Sequence, residues 1–163
     1  LIINVWELFN ANSTYSETPK LEKFEPDNQK LKRAEKKILV VDDSAIQRNR
    51  LNAMLTRAGY KVETAVDGHD GLKKASSTRF DAFCVDIVMP LMDGYEFLEQ
   101  IRSNERFTNT PVFLVTGKNI DSGAETRRIQ NLNVKRVFEK PVDETEILNE
   151  LDIACQASET VEA

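Results

Sequence analysis

The stretch AFCVDIVMPLMDG, residues 82–94, decides how this chain folds. Ala82-Phe83-Cys84-Val85 is an unbroken apolar run, the pattern of a strand buried on both faces. Asp86 ends it. A carboxylate at the end of a core strand is costly unless it has a partner or a task. Met89-Pro90 and Asp93-Gly94 then supply turn chemistry.

The same design recurs on both sides. ILVV (38–41) and VFLV (112–115) are further continuous apolar runs. Strands are expected at Lys37–Val41, Lys61–Ala65, Asp81–Val85, Val112–Val115 and Lys135–Phe138. Helices are expected at Ala45–Ala58, Gly68–Ser76, Tyr95–Ser103, Ser122–Asn131 and Glu144–Ala154. Leu51, Met54, Leu55 and Ala58 form one apolar stripe at helical spacing, and Gly59 follows as a stop signal. Ile147, Leu148, Leu151 and Ala154 repeat the stripe in the last helix. Five strands alternating with five helices imply an α/β fold, a doubly wound parallel sheet covered on both faces.

Composition narrows the function. The 163 residues are 40% hydrophobic and 30% charged, with 22 basic and 27 acidic side chains, a net charge of −5. No basic excess is present to neutralise phosphates, so nucleic acid is not the expected partner. Cys84 and Cys155 read as reduced core thiols of a cytoplasmic protein. No membrane insertion is expected, since no apolar run approaches a span, and Leu1–Phe9 lacks the basic start and cleavage site of a signal peptide. Residues 10–35 are polar, with Pro19 and Pro26, and read as a linker. The chain does not open on Met, so a longer parent is expected.

The strand ends carry the chemistry. They finish on Asp42-Asp43, Asp86, Thr116 and Lys140-Pro141. In an open parallel sheet, ligands bind beyond the carboxyl ends of the strands. Three carboxylates converging there repel one another, and a hard divalent cation relieves the repulsion. An all-oxygen donor set with room for water suits Mg2+ better than Ca2+. An ionised Asp86 is then a nucleophile for a phosphoryl group, with Thr116 and Lys140 neutralising its oxygens. Taken singly, each residue has a plainer reading. Asp42 and Asp43 could cap a helix beside Ser44, Lys140 could be a solvated lysine, and Thr116 a strand-end hydroxyl. The joint occurrence at four strand ends points to a site.

ILVVDDS, DIVMPLMDGYEFL, PVFLVTG and VFEKPV, in this order and spacing, resemble the receiver domain of two-component response regulators. The resemblance covers residues 36–156. It implies the flavodoxin-like (CheY-like) fold with strand order 2-1-3-4-5. It also implies phosphorelay signalling, in which a histidine kinase is the phosphodonor and Asp86 the acceptor. Asp43, Asp42, Asp86 and the backbone carbonyl of Val88 would be Mg2+ ligands, Asp42 through a water. Thr116 matches the switch hydroxyl and Lys140 the phosphate-binding lysine. The Lys140-Pro141 bond is expected to be cis. Such a receiver is a phosphoacceptor with self-catalysed transfer and dephosphorylation, not a turnover enzyme, and a downstream protein reads its surface.

Two positions depart from the pattern. The usual aromatic three residues before the lysine is Val137 here, and Phe138 faces the other way. Val88, beside the acceptor, has no polar group to orient an attacking water, so a long-lived phosphate is expected. Gly117 and Lys118 follow Thr116, and His69 reads as a surface residue. Lys135-Arg136 reads as an exposed patch on the output side. Leu1–Phe9 faintly resembles the end of a CheW-like coupling domain, which would suit a fused chemotaxis or hybrid kinase parent. The other readings are a pseudo-receiver that binds proteins without phosphate, and a haloacid-dehalogenase-type phosphatase. The second needs an acid two residues after Asp86, where Val88 stands. No Gly-rich P-loop is present, which argues against nucleotide hydrolysis.

Overall fold

A computed structural model describes residues 27–158. Leu1–Phe9, the first part of the expected linker and the last five residues lie outside that range. Five parallel strands form one sheet in the order β2-β1-β3-β4-β5. They are β1 (Lys37–Val41), β2 (Lys61–Ala65), β3 (Ala82–Val85), β4 (Val112–Thr116) and β5 (Arg136–Glu139). The order 2-1-3-4-5 and the parallel pairing agree with the sequence reading.

The helices are α1 (Asn28–Arg33), α2 (Ala45–Ala58), α3 (Gly68–Ser77), α4 (Gly94–Ser103), α5 (Gly123–Asn131) and α6 (Glu144–Ala157), with a 3-10 turn at Glu105–Phe107. Each of α2 to α6 begins at a Ser or Asp whose side chain accepts a backbone N–H of the first turn: Ser44, Asp67, Asp93, Ser122 and Asp143. These caps stop each strand-to-helix loop at a defined residue. No helix among the described residues is long and apolar enough to cross a membrane.

Side-chain alternation along the strands divides the core. Leu39, Val41, Phe83, Val85, Val112 and Leu114 face α3, α4 and α5. Ile38, Val40, Ala82, Cys84, Phe113 and Val115 face α2 and α6. The continuous apolar runs are thus two interleaved faces. Phe83 anchors the first, with ring centroids 5.2 Å from Phe107, 5.7 Å from Phe80 and 6.2 Å from Phe97. Burying such a ring contributes roughly 2–3 kcal/mol. The Arg102 guanidinium closes the lower edge of this face. It donates to the carbonyls of Leu132 at 2.9 Å, Phe107 at 2.7 Å and Thr110 at 2.7 Å.

The sixth helix, α1, lies inside the stretch that composition marks as linker. It buries none of its residues, so no apolar stripe announced it. Polar contacts hold it instead. Asp152 of α6 is buried, and it accepts from Arg33 at 2.8 and 2.5 Å, Gln29 at 2.7 Å and the Tyr60 hydroxyl at 2.5 Å. Arg33 also donates to the Ala58 carbonyl at 3.2 Å. Gly59, at φ 111°, ends α2 so closely beneath α1 that an added Cβ would sit 2.8 Å from Lys30 Cγ. One carboxylate therefore ties α1, α2 and α6 together at the amino ends of the strands.

Burial pushes the Asp152 carboxyl up, but Arg33 and Tyr60 outweigh it and hold it below the ordinary carboxylate value. A depressed folded-state pKa stabilises above the unfolded value and loses that effect as pH falls through the folded one. Asp152→Ala should cost about 3 kcal/mol at neutral pH, because it strands a half-buried guanidinium and a buried phenol. Urea unfolding should show that deficit shrinking once the pH drops below the ordinary carboxylate range.

Candidate functional site

β1 and β3 are neighbours, paired Val41 to Val85. Each strand stops one residue before an acid, so Asp42 and Asp86 emerge side by side at the carboxyl edge. The Asp86 N–H donates to the Val41 carbonyl at 2.9 Å and the Asp42 N–H to the Ala65 carbonyl at 3.2 Å, which fixes both backbones. Asp42 and Asp86 are buried, at 5% and 6% exposure, whereas Asp43 is exposed. One carboxylate oxygen from each of Asp42, Asp43 and Asp86 lies within 4.8 Å of the other two.

Lys140 enters from the end of β5, two strands away. Its ammonium donates to Asp42 Oδ2 at 2.7 Å and Asp86 Oδ2 at 3.1 Å. The Lys140-Pro141 peptide is cis, and the Lys140 N–H donates to the Thr116 carbonyl at 3.0 Å. Thr116 closes β4 at 1% exposure, and its hydroxyl oxygen accepts from the Lys118 N–H at 3.1 Å. The sequence-derived residues Asp42, Asp43, Asp86, Thr116 and Lys140 thus share one edge of the sheet. Val88 stands beside them, 59% exposed, its N–H donating to Asp86 Oδ1 at 3.3 Å.

Three carboxylates against one ammonium leave the cluster net negative. Burial raises the Asp86 pKa, Lys140 works against that, and the neighbouring Asp42 adds to it. Burial lowers the Lys140 pKa, but the two carboxylates more than reverse it. The donor set is all oxygen, and a divalent cation is the species that would relieve it.

Some contributors to the site were not singled out from the sequence. Asp42 also serves the local turn, accepting the Ser44 N–H at 2.8 Å, and Arg48 donates to the Asp42 carbonyl at 2.7 Å. Gly94 does more than turn the chain. A Cβ there would sit 2.2 Å from the Asp86 carbonyl oxygen, so only glycine lets the first turn of α4 lie against the acceptor strand. Asp93 and Glu96 close that turn as a reciprocal cap. The Asp-Gly pair was visible in the sequence, but the approach that demands it is tertiary. A cavity of about 550 Å3 lined by Asp81, Pro111 and Lys135 lies at the opposite end of the sheet, away from every one of these groups.

With that geometry in hand, the chain was compared with known proteins. Residues 38–152 match the family model of the response regulator receiver domain. The chain belongs to that family. It is therefore a receiver domain of two-component signalling. It is similar to protein PilG of Pseudomonas aeruginosa, 39% identical over 82 residues that span 50% of this chain and 61% of PilG. It is 37% identical over 111 residues to hybrid signal transduction histidine kinase D of Dictyostelium discoideum, spanning 68% of this chain and 7% of the kinase. Among solved structures it resembles the Vibrio cholerae chemotaxis protein CheY4. The TM-score is 0.68 at 33% identity, over 73% of this chain and 98% of CheY4. The receiver thus corresponds to only a part of PilG and of the kinase.

The raised pKa of Asp86 makes its ionised form a burden on the folded state. Asp86→Asn keeps the shape and drops the charge, so in chelator at neutral pH it should gain about 1 kcal/mol in urea unfolding. The gain should vanish in acid, where Asp86 is already protonated in the parent.

Proposed function

We propose that Asp86 is a phosphoryl acceptor whose donor is the phosphohistidine of a histidine kinase. The observation that carries this reading is the single cluster of Asp42, Asp43 and Asp86, bridged by Lys140 at the carboxyl edge of the sheet. The Asp86 carboxylate attacks phosphorus. An O–P bond forms, the P–N bond to the donor imidazole breaks, and the electron pair leaves with the imidazole. The acceptor is anionic and so is the incoming group, which is why the surrounding positive charge decides the rate.

Asp43, Asp42, Asp86 and the Val88 carbonyl would hold Mg2+, Asp42 through a water. The bound ion would supply the positive charge that lets the acceptor and the phosphoryl oxygens approach. Lys140 exchanges a carboxylate oxygen for a phosphoryl oxygen, and its raised pKa keeps it charged for that role. The Thr116 hydroxyl donates to a second phosphoryl oxygen and, in turning, gives up the Lys118 N–H. Residues 36–156 act as the receiver, with residues 1–35 as an extension that joins it to a longer parent or partner. The output is contact with a downstream protein. Val137, aliphatic and half-buried where the resemblance expects an aromatic, is what favours a second reading, a pseudo-receiver that binds without phosphate.

Incubation with Mg2+ and acetyl phosphate separates the two. The acceptor reading expects a mass gain of one phosphoryl group, lost in chelator and in Asp86→Asn. No gain, or a gain that survives Asp86→Asn, would leave the binding-module reading. Val88→Asn places a polar amide beside the phosphate, where it can hold a water. It should shorten the lifetime of the phosphorylated form several-fold, measured by loss of label after the donor is removed. An unchanged lifetime would show that Val88 does not set it.

A further inference from the structure

Among the described residues, the Tyr95 hydroxyl is the one buried side-chain polar atom with no hydrogen-bond partner in the protein. Tyr95 is 3% exposed, so the omission costs stability unless the hydroxyl has a use elsewhere. It is the second residue of α4, directly after the Gly94 that packs on the acceptor strand. Its ring lies under the Arg128 guanidinium of α5, 4.8 Å from centroid to Cζ. Arg128 in turn pairs with Glu99 of α4 at 2.8 Å.

A partner is close at hand and already taken. Burial, and then the Glu125 carboxylate, push the Tyr95 pKa up. Glu125, in the first turn of α5, is paired with the Lys118 ammonium. The Lys118 N–H is the group that donates to Thr116 Oγ1 at 3.1 Å. One carboxylate therefore stands between an ammonium that holds it and a buried phenol that lacks an acceptor. Tyr95 also belongs to the same core face as Val137. The face that lacks a β5 aromatic has a phenol supplied from α4.

We propose that Glu125 has two positions, and that Tyr95 is the positioning residue that reads the phosphate. In the unphosphorylated protein Glu125 pairs with Lys118. A phosphoryl group on Asp86 draws the Thr116 hydroxyl toward it and frees the Lys118 backbone. The same added negative charge attracts the Lys118 ammonium and repels the Glu125 carboxylate. Glu125 then accepts the Tyr95 hydroxyl, and the first turn of α5 moves against α4. The two-state element is this turn, and the phosphate biases it through charge and one exchanged hydrogen bond. The inference rests on the acceptor reading above.

The test uses the full chain, 15N-labelled, with Mg2+ and acetyl phosphate. Mass spectrometry reports labelling, and amide chemical shifts of residues 117–131 report α5. The parent should label and shift across Lys118–Arg128. Tyr95→Phe should label to the same extent and lose at least half of that shift. Glu125→Gln weakens the grip of Lys118 and keeps an acceptor oxygen, so it should move α5 partway without phosphate. It carries the test if Tyr95→Phe does not fold. Labelling of the parent with no change at α5 overturns the switch and spares the acceptor. Equal shifts in the parent and Tyr95→Phe, or an unmoved α5 in Glu125→Gln, also overturn it. A parent that takes no label overturns both readings.

Discussion

Backbone pairing forces like charges together at one edge of this protein. β1 and β3 run side by side, and each ends one residue before a carboxylate. The bond from the Asp86 N–H to the Val41 carbonyl leaves neither strand free to retreat. Two buried acids and an exposed third meet, with one ammonium between them. Everything around the cluster limits that repulsion or uses it. β5 brings Lys140 across two strands, β4 presents Thr116, and Gly94 lets α4 close beneath the acceptor.

The rest of the chain offsets the cost. Both faces of the sheet are filled, and the phenylalanines around Phe83 make one face close-packed. Caps begin five helices at fixed residues, so the loops at the carboxyl edge have little slack. The strain lies where the side chains are polar, and the packing lies where they are not.

Most of the scaffold was legible in the sequence because it rests on local pattern. The apolar runs gave β1 and β2 to the residue, and α2 from Ala45 to Ala58 followed from its stripe and Gly59. The edge residues were legible because each ends a strand, and strand ends converge in such a sheet. What escaped depends on tertiary contact. α1 is polar all round and is held by Asp152, an acid between Leu151 and Cys155 on the buried side of α6. That misplaced acid was a signal, the counterpart of Asp86 at the other end of the sheet. Tyr95 looked like an ordinary residue of an amphipathic helix, and only its surroundings reveal a hydroxyl without an acceptor. The roles of Val88 and Val137 turn on motion and chemistry, which no pattern of apolar spacing encodes.

The tie between α1 and Asp152 also has a mechanical meaning. It sits at the amino ends of the strands, as far from the acidic edge as the fold allows. Whatever precedes residue 27 is joined through a short helix clamped to α2 and α6, and a swivel is thereby replaced by a bracket. A twist applied from upstream is carried into α6, which begins three residues after Pro141 and so runs directly from the end that holds Lys140. The two poles of the domain share one rigid strut, and the joint to the preceding chain transmits orientation as well as position.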